Sequence, residues 1–110
     1  MEPGLLLLLA EHDGYGYELA VELEHRGLVA GALPPARVYE ALKRLEEEAA
    51  VVSRQEGSRS GPDRRQYAIT AAGQERLDRW ATALRLSEHH LKTLLATYDL
   101  QRERTSRSPL

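Results

Sequence analysis

Between Pro34 and Thr70 the chain gathers the side chains best able to hold a phosphate or a base edge. Arg37, Tyr39, Glu40, Lys43, Arg44 and Glu47 interleave with Val38, Leu42 and Leu45, which recur at i, i+4 and i+7 with Ala41 and Ala49 beside them. That spacing is one apolar face at helical period, so the polar set is left to the opposite and flanking faces. Downstream, Arg54, Arg59, Arg64 and Arg65 stand against only Glu56 and Asp63, around the Gly/Ser/Arg stretch 57–61. Guanidinium forks match phosphate oxygens, and a narrow minor groove attracts positive charge. A solvated helix face and a solvated hairpin tip are the plainer readings of the two features taken singly. Side by side they point to a nucleic acid.

The elements that must position these residues follow from the same stretch. The periodicity predicts a helix from Pro35 to about Glu48, with Pro35 in the first turn, where a missing N–H costs nothing. Arg37, Tyr39 and Lys43 sit near its N-terminal half, where a recognition helix presents side chains to base edges in the major groove. β-branched and aromatic residues on either side of the Gly/Ser/Pro cluster, Ala50-Val51-Val52 and Gln66-Tyr67-Ala68-Ile69, predict a hairpin. Upstream, Leu5 to Leu9 are five leucines in a row, a helix over about Gly4 to Glu11 that is apolar all round and therefore buried in the core or between subunits. His12-Asp13-Gly14 breaks it. A second helix runs from Tyr15 to about Arg26 with Leu19, Ala20 and Leu23 inward, and Gly27 and Gly31 mark the turn that follows. Helix, helix, helix, hairpin is the order of a winged helix-turn-helix over residues 4–70.

The last helix, 71 to about 100, supplies a case for a dimer. Leu77, Leu84, Leu91 and Tyr98 recur every seven residues, with Trp80, Ser87 and Leu94 between them. This is a coiled-coil-like seam. Leu77 and Trp80 are expected to pack on the domain itself, whereas Leu84, Leu91, Leu94, Leu95 and Tyr98 have nothing left there to cover them, and an exposed stripe of that length favours association. Leu6 of the first helix is expected at the same interface. Thr70 is the expected N-cap, and residues 101–110 are expected to form a flexible basic tail.

Composition excludes several classes. The 110 residues hold no cysteine, so disulfides and thiolate metal sites are absent. The apolar run Leu5 to Ala10 is too short for a signal peptide or a membrane span, which predicts a cytoplasmic protein. Net charge is −2. Residues 1–33 carry six acids against one arginine, residues 34–65 seven bases against six acids. Any binding of DNA must then rest on local placement of cations, not on global attraction. There is no Gly-rich phosphate loop, no His-Glu-x-x-His and no recognisable nucleophile set, so neither an enzyme nor a cofactor is expected. His89 and His90 are adjacent and diverge by about 100° on a helix, which disfavours chelation.

Three fragments carry a resemblance. They are Gly16-Tyr17-Glu18-Leu19; Val38-Tyr39-x-Ala41-Leu42-Lys43-Arg44-Leu45-Glu46; and Gly61-Pro62-x-Arg64-x-x-Tyr67-x-Ile69-Thr70-x-x-Gly73. In this order and spacing the chain resembles the PadR family of transcriptional regulators over roughly Leu5 to Trp80, in its short subgroup with a single C-terminal helix. The resemblance implies a homodimeric repressor on a palindromic operator. It also brings the question of a small-molecule effector, for which Trp80 and Leu84 are the candidate pocket residues. The chain departs from the family pattern at Pro34, where Ser is usual, at Arg37 (a small hydroxyl residue), Glu40 (Pro), Ala49 (Gly) and Tyr15 (His). Arg37 could add a phosphate or guanine contact. Glu40 could accept from a cytosine amino group or repel the backbone. Ala49 strains the helix exit if a left-handed conformation is required there. The alternative function is a winged-helix dimer used for protein contacts, without DNA.

Overall fold

The computed structural model describes residues 1–57 and 64–107. Among the described residues four helices and three short strands follow in order: α1 (Glu2–Glu11), β1 (Gly14–Tyr15), α2 (Gly16–His25), α3 (Pro35–Glu47), β2 (Val51–Glu56), β3 (Arg64–Ile69) and α4 (Ala71–Arg107). The architecture is mainly α with a small antiparallel sheet, a winged helix-turn-helix followed by a long helix. Two compact units are present, Met1–Asp78 and Arg79–Leu110, and α4 contributes residues to both.

The first unit is closed by leucine. Leu5, Leu8, Leu23, Val38, Leu42 and Val51 are buried, and each large side chain so buried contributes roughly 1.5–3 kcal/mol. The α3 face expected from its periodicity, Val38, Leu42 and Leu45, is the face that is buried. In α1 the leucines divide unevenly. Leu6 is 0 % exposed whereas Leu7 is 39 % exposed, so the leucine this helix offers outward is Leu7, and the placing of Leu6 at an interface is corrected. In a run of five identical side chains no periodicity marks the outward one.

The sheet holds one strand more than the predicted hairpin. β3 pairs with β2 from Val51↔Ile69 to Glu56↔Arg64, and on its other edge with β1 through Gly14↔Tyr67 and Tyr15↔Gln66. The residues expected to break α1 and open α2 thus tie the α1–α2 connection to the base of the wing.

Two helices end in the same backbone motif. Past α2, the Leu28 N–H donates to the Leu23 carbonyl (2.9 Å) and Gly27 to Glu24 (3.1 Å), with Gly27 at φ 66°. Past α3, Ala50 donates to Leu45 (2.8 Å) and Ala49 to Glu46 (3.0 Å), with Ala49 at φ 61°. Both are Schellman caps, whose left-handed position is ordinarily a glycine. In α3 an alanine carries the strain.

The next residues lock the junction. Thr70 caps α4: its hydroxyl accepts from the Gly73 N–H (3.0 Å) and faces the carbonyl oxygens of Ala49 (2.7 Å) and Ala50 (3.0 Å), while its own N–H donates to Ala50 (3.1 Å). A Cβ on Gly73 would lie 2.0 Å from the Ala50 oxygen, so no other residue fits. The helix that starts here runs further than its pattern predicted. Residues 101–107 are helical, supported by an Arg107–Glu103 pair at 2.6 Å and a Gln101–Thr105 side-chain bond at 3.1 Å, which corrects the expected tail; residues 108–110 lie outside the described residues.

Ala49→Gly should raise unfolding free energy by about 0.5–1 kcal/mol, because relief of the left-handed strain outweighs the added freedom of the unfolded chain. Gly73→Ala should lower it by more than 2 kcal/mol, the cost of breaking a packed backbone contact. Denaturant titration of both variants checks the pair of signs.

Candidate nucleic-acid interface

Opposite the buried line Val38, Leu42 and Leu45, helical period places an outward ridge of Ala36, Glu40, Lys43 and Glu47. Arg37 and Arg44 flank this ridge on one side. Arg37, Glu40, Lys43 and Arg44 are exposed, and among the described residues none makes a side-chain hydrogen bond or ion pair. With Ala41, Leu45, Met1 and Glu2, residues Arg37, Glu40 and Arg44 line an open cleft of about 480 Å³. The helix starts without a side-chain cap at Pro34, the Arg37 N–H closing instead on the Pro34 carbonyl at 3.0 Å. Its N-terminal end therefore keeps unshared N–H groups and a positive dipole.

Tyr39, unlike its cationic neighbours, also makes a close contact within the domain. It is 45 % exposed, but its ring lies across Gly16, where a Cβ would come within 2.3 Å of it. Gly16 is therefore the residue that lets α3 approach the start of α2. On the rim of this contact, Tyr15, Tyr17, Tyr39, Tyr67, Arg64 and Arg65 surround a cleft of about 450 Å³.

The described wing arginines, Arg54, Arg64 and Arg65, are not free. On one side of the sheet Arg54 donates to Gln66 (2.7 Å) and lies 3.7 Å from Glu56. There Arg64 sits 3.9 Å over the Tyr15 ring and pairs with Glu18 of α2 at 2.6 Å. The Tyr15 hydroxyl donates to Glu56 at 2.5 Å. On the opposite side Arg65 donates to the Ser53 hydroxyl (2.9 Å), which donates to Glu46 of α3 (2.5 Å). Arg64 and Arg65 thus brace the wing against α2 and α3, and Arg54 is held within the sheet; Arg59 lies outside the described residues. Each such exposed pair contributes about 0–1 kcal/mol, and an exposed cation–π contact about 0.5–1. A phosphate can thus take over one of these guanidiniums at small cost.

These contacts set the ionisation of the tyrosines. The Tyr15 phenol is pushed up, first by its hydrogen bond to Glu56 and then by burial. Burial and the Glu46 charge raise Tyr67. A second anchor went unnoticed in the sequence: Arg76 makes a two-pronged bond to Glu2 (2.6 and 2.8 Å) and another to Glu48. Hydrogen bonding to Glu2, then to Glu48, holds this guanidinium more firmly protonated than usual. Its partners stand 74 and 28 residues away, beyond any local pattern.

Along α4, Leu84, Leu91, Leu94, Leu95 and Tyr98 are 50–62 % exposed, while Trp80 is half-buried. Trp80 and Leu84 are one turn apart on the same helix. Among the described residues no cluster of three or more His, Asp or Glu could hold a metal ion, and no helix is long and apolar enough to cross a membrane.

Residues 5–79 match the model of the family described as "Transcriptional regulator PadR-like family". Among solved structures, the chain is similar to a PadR family transcription regulator from Clostridium difficile (26 % identity, TM-score 0.74, covering 86 % of this chain and 96 % of that one). It is also similar to a transcriptional regulator from Thermoplasma acidophilum (31 %, 0.70, 87 % and 89 %). Bacillus subtilis PadR, solved in complex with operator DNA, shares the fold at 20 % identity and TM-score 0.65, over 73 % of this chain and 44 % of that one. No curated protein matches the sequence.

Arg64→Ala should lower unfolding free energy by about 1 kcal/mol, through loss of the Glu18 pair and the Tyr15 stack. Lys43→Ala, which removes an unpartnered side chain, should stay within about 0.5 kcal/mol of wild type. The raised Tyr15 phenol implies stability present below the ordinary tyrosine range near pH 10 and lost as pH climbs through the folded value. Thermal melts across pH 8–11 should therefore show wild type losing more stability at the alkaline end than Tyr15→Phe.

Proposed function

Because the chain belongs to the PadR-like family of transcriptional regulators, we propose that it is a DNA-binding repressor that acts as a homodimer on a palindromic operator. The observation that carries the reading is the outward side of α3, where Arg37, Lys43 and Arg44 are exposed and unpartnered among the described residues on a helix with an open N-terminal end. A helix fits the major groove, and arginine and lysine donate to the O6 and N7 of guanine. The wing arginines supply phosphate contacts beside it. Support also comes from the fold shared with a PadR solved on operator DNA.

The dimer is assigned to the apolar stripe of α4, Leu84, Leu91, Leu94, Leu95 and Tyr98. An unpaired stripe of this length would be an aggregation site, and pairing about a two-fold axis matches a protein dyad to an operator dyad. A small-molecule effector belongs to the same reading, seated by Trp80 and Leu84. Trp80 is the chain's one tryptophan, so its fluorescence reports any such ligand.

Fluorescence anisotropy on the duplex upstream of the protein's own gene, against a scrambled duplex, tests the assignment. Selective binding should weaken steeply between 50 and 200 mM salt as counterions are released. Arg37→Ala or Lys43→Ala should cost roughly 1–3 kcal/mol on the selected duplex and much less on the scrambled one. Flat salt dependence with no selectivity would favour the winged helix as a protein-contact module. Light scattering should return twice the 12.4 kDa chain mass; a monomer at every concentration would remove the dimer.

A further inference from the structure

The outward ridge of α3 contains a feature that phosphate binding does not explain. Glu40 stands at its centre, exposed, with Arg37, Lys43 and Arg44 all within one helical turn. Charges three or four residues apart on a helix ordinarily gain a few tenths of a kcal/mol by pairing. Among the described residues Glu40 pairs with none of them, although Glu88–Lys92 and Glu103–Arg107 on α4 do pair at that spacing. Its carboxylate is left to face whatever meets the ridge.

A carboxylate carried into the major groove approaches two rows of phosphates, which is unfavourable unless a base donates to it. Only the exocyclic amino groups of cytosine and adenine donate there; guanine and thymine present acceptors. The adenine amine lies beside the N7 lone pair, which repels the second carboxylate oxygen. The cytosine amine lies beside a C–H and carries no such penalty. Glu40 and Lys43 are about 4.5 Å apart along the helix axis, close to one base-pair step, so an acceptor and a donor face neighbouring base pairs.

We infer that Glu40 is a specificity-determining residue that accepts a hydrogen bond from a cytosine amino group in each half-site, next to a guanine addressed by Lys43. This rests on the DNA-reading assignment above. Glu40 acts on both sides of recognition: it rewards cytosine at one position, and it raises the cost of binding every duplex that puts an acceptor there.

The test is selection from a randomised duplex pool by wild type, Glu40→Ala and Glu47→Gln, followed by affinity measurement on the selected and a scrambled duplex. Wild type should fix cytosine at one symmetry-related position per half-site. Glu40→Ala should lose roughly tenfold of that preference, the scale of one base contact, while binding the scrambled duplex more tightly because a repulsive charge has gone. Glu47→Gln, which removes a negative charge from the last turn of the same ridge, should tighten all duplexes and leave every preference intact. Unpartnered Glu40 can be replaced without loss of fold, and a melt of Glu40→Ala equal to wild type verifies this. Retention of the cytosine preference by Glu40→Ala, or fixation of adenine in its place, overturns the inference while leaving the regulator assignment standing. A wild-type pool with no enrichment at any position overturns both.

Discussion

The close approach of two backbones at the Ala50 carbonyl sets the geometry of the first unit. That oxygen accepts from the Thr70 N–H, faces the Thr70 hydroxyl, and lies where only a glycine at position 73 leaves room. Three elements meet there: the exit of α3, the first residue of β2 and the first turn of α4. Hydrogen bonds and hard contact, which tolerate tenths of an ångström, add to the side-chain packing in fixing their mutual placement. Arg76 reinforces the same corner by joining Glu48 at the end of α3 to Glu2 at the start of α1.

The consequence for function is that α3 can give up its whole outward face to a partner. It is held from behind by Val38, Leu42 and Leu45, at its N-terminal end by Tyr39 on Gly16, at its exit by the Schellman cap, and from the wing by Glu46 through Ser53 and Arg65. None of these supports uses Arg37, Glu40, Lys43 or Arg44. The wing carries the converse arrangement: its described arginines are part of the scaffold in the free chain, and their contacts are weak enough for phosphate to displace them. In the proposed DNA reader this arrangement divides the labour, with bases addressed by the firmly held helix and the phosphate backbone by the wing.

Much of this was legible in the chain. Val38, Leu42 and Leu45 declare a helix by period alone, Thr70 declares a cap by its chemistry, and the departure of Ala49 from glycine left open a strained left-handed exit or another path, of which the backbone takes the first at φ 61°. What stayed hidden has a common physical cause, namely that it depends on partners distant in sequence. β1 is two residues long and has no pattern of its own; it exists because β3 offers a free edge. The capture of Arg64 by Glu18 spans 46 residues, and Leu7 differs from Leu6 only in what the rest of the fold puts around it. The helical stretch 101–107 was concealed by composition: Ser, Thr and Arg read as a tail, while i,i+4 side-chain bonds sustain the helix.

The central claim, that two copies of α3 read DNA about a dyad, is most directly tested by hydroxyl-radical footprinting of wild type on the duplex upstream of its gene. Two protected patches related by symmetry and spaced by about one helical turn of 10–10.5 base pairs, or a multiple of it, are expected. A single asymmetric patch, or uniform protection without preferred position, would contradict it.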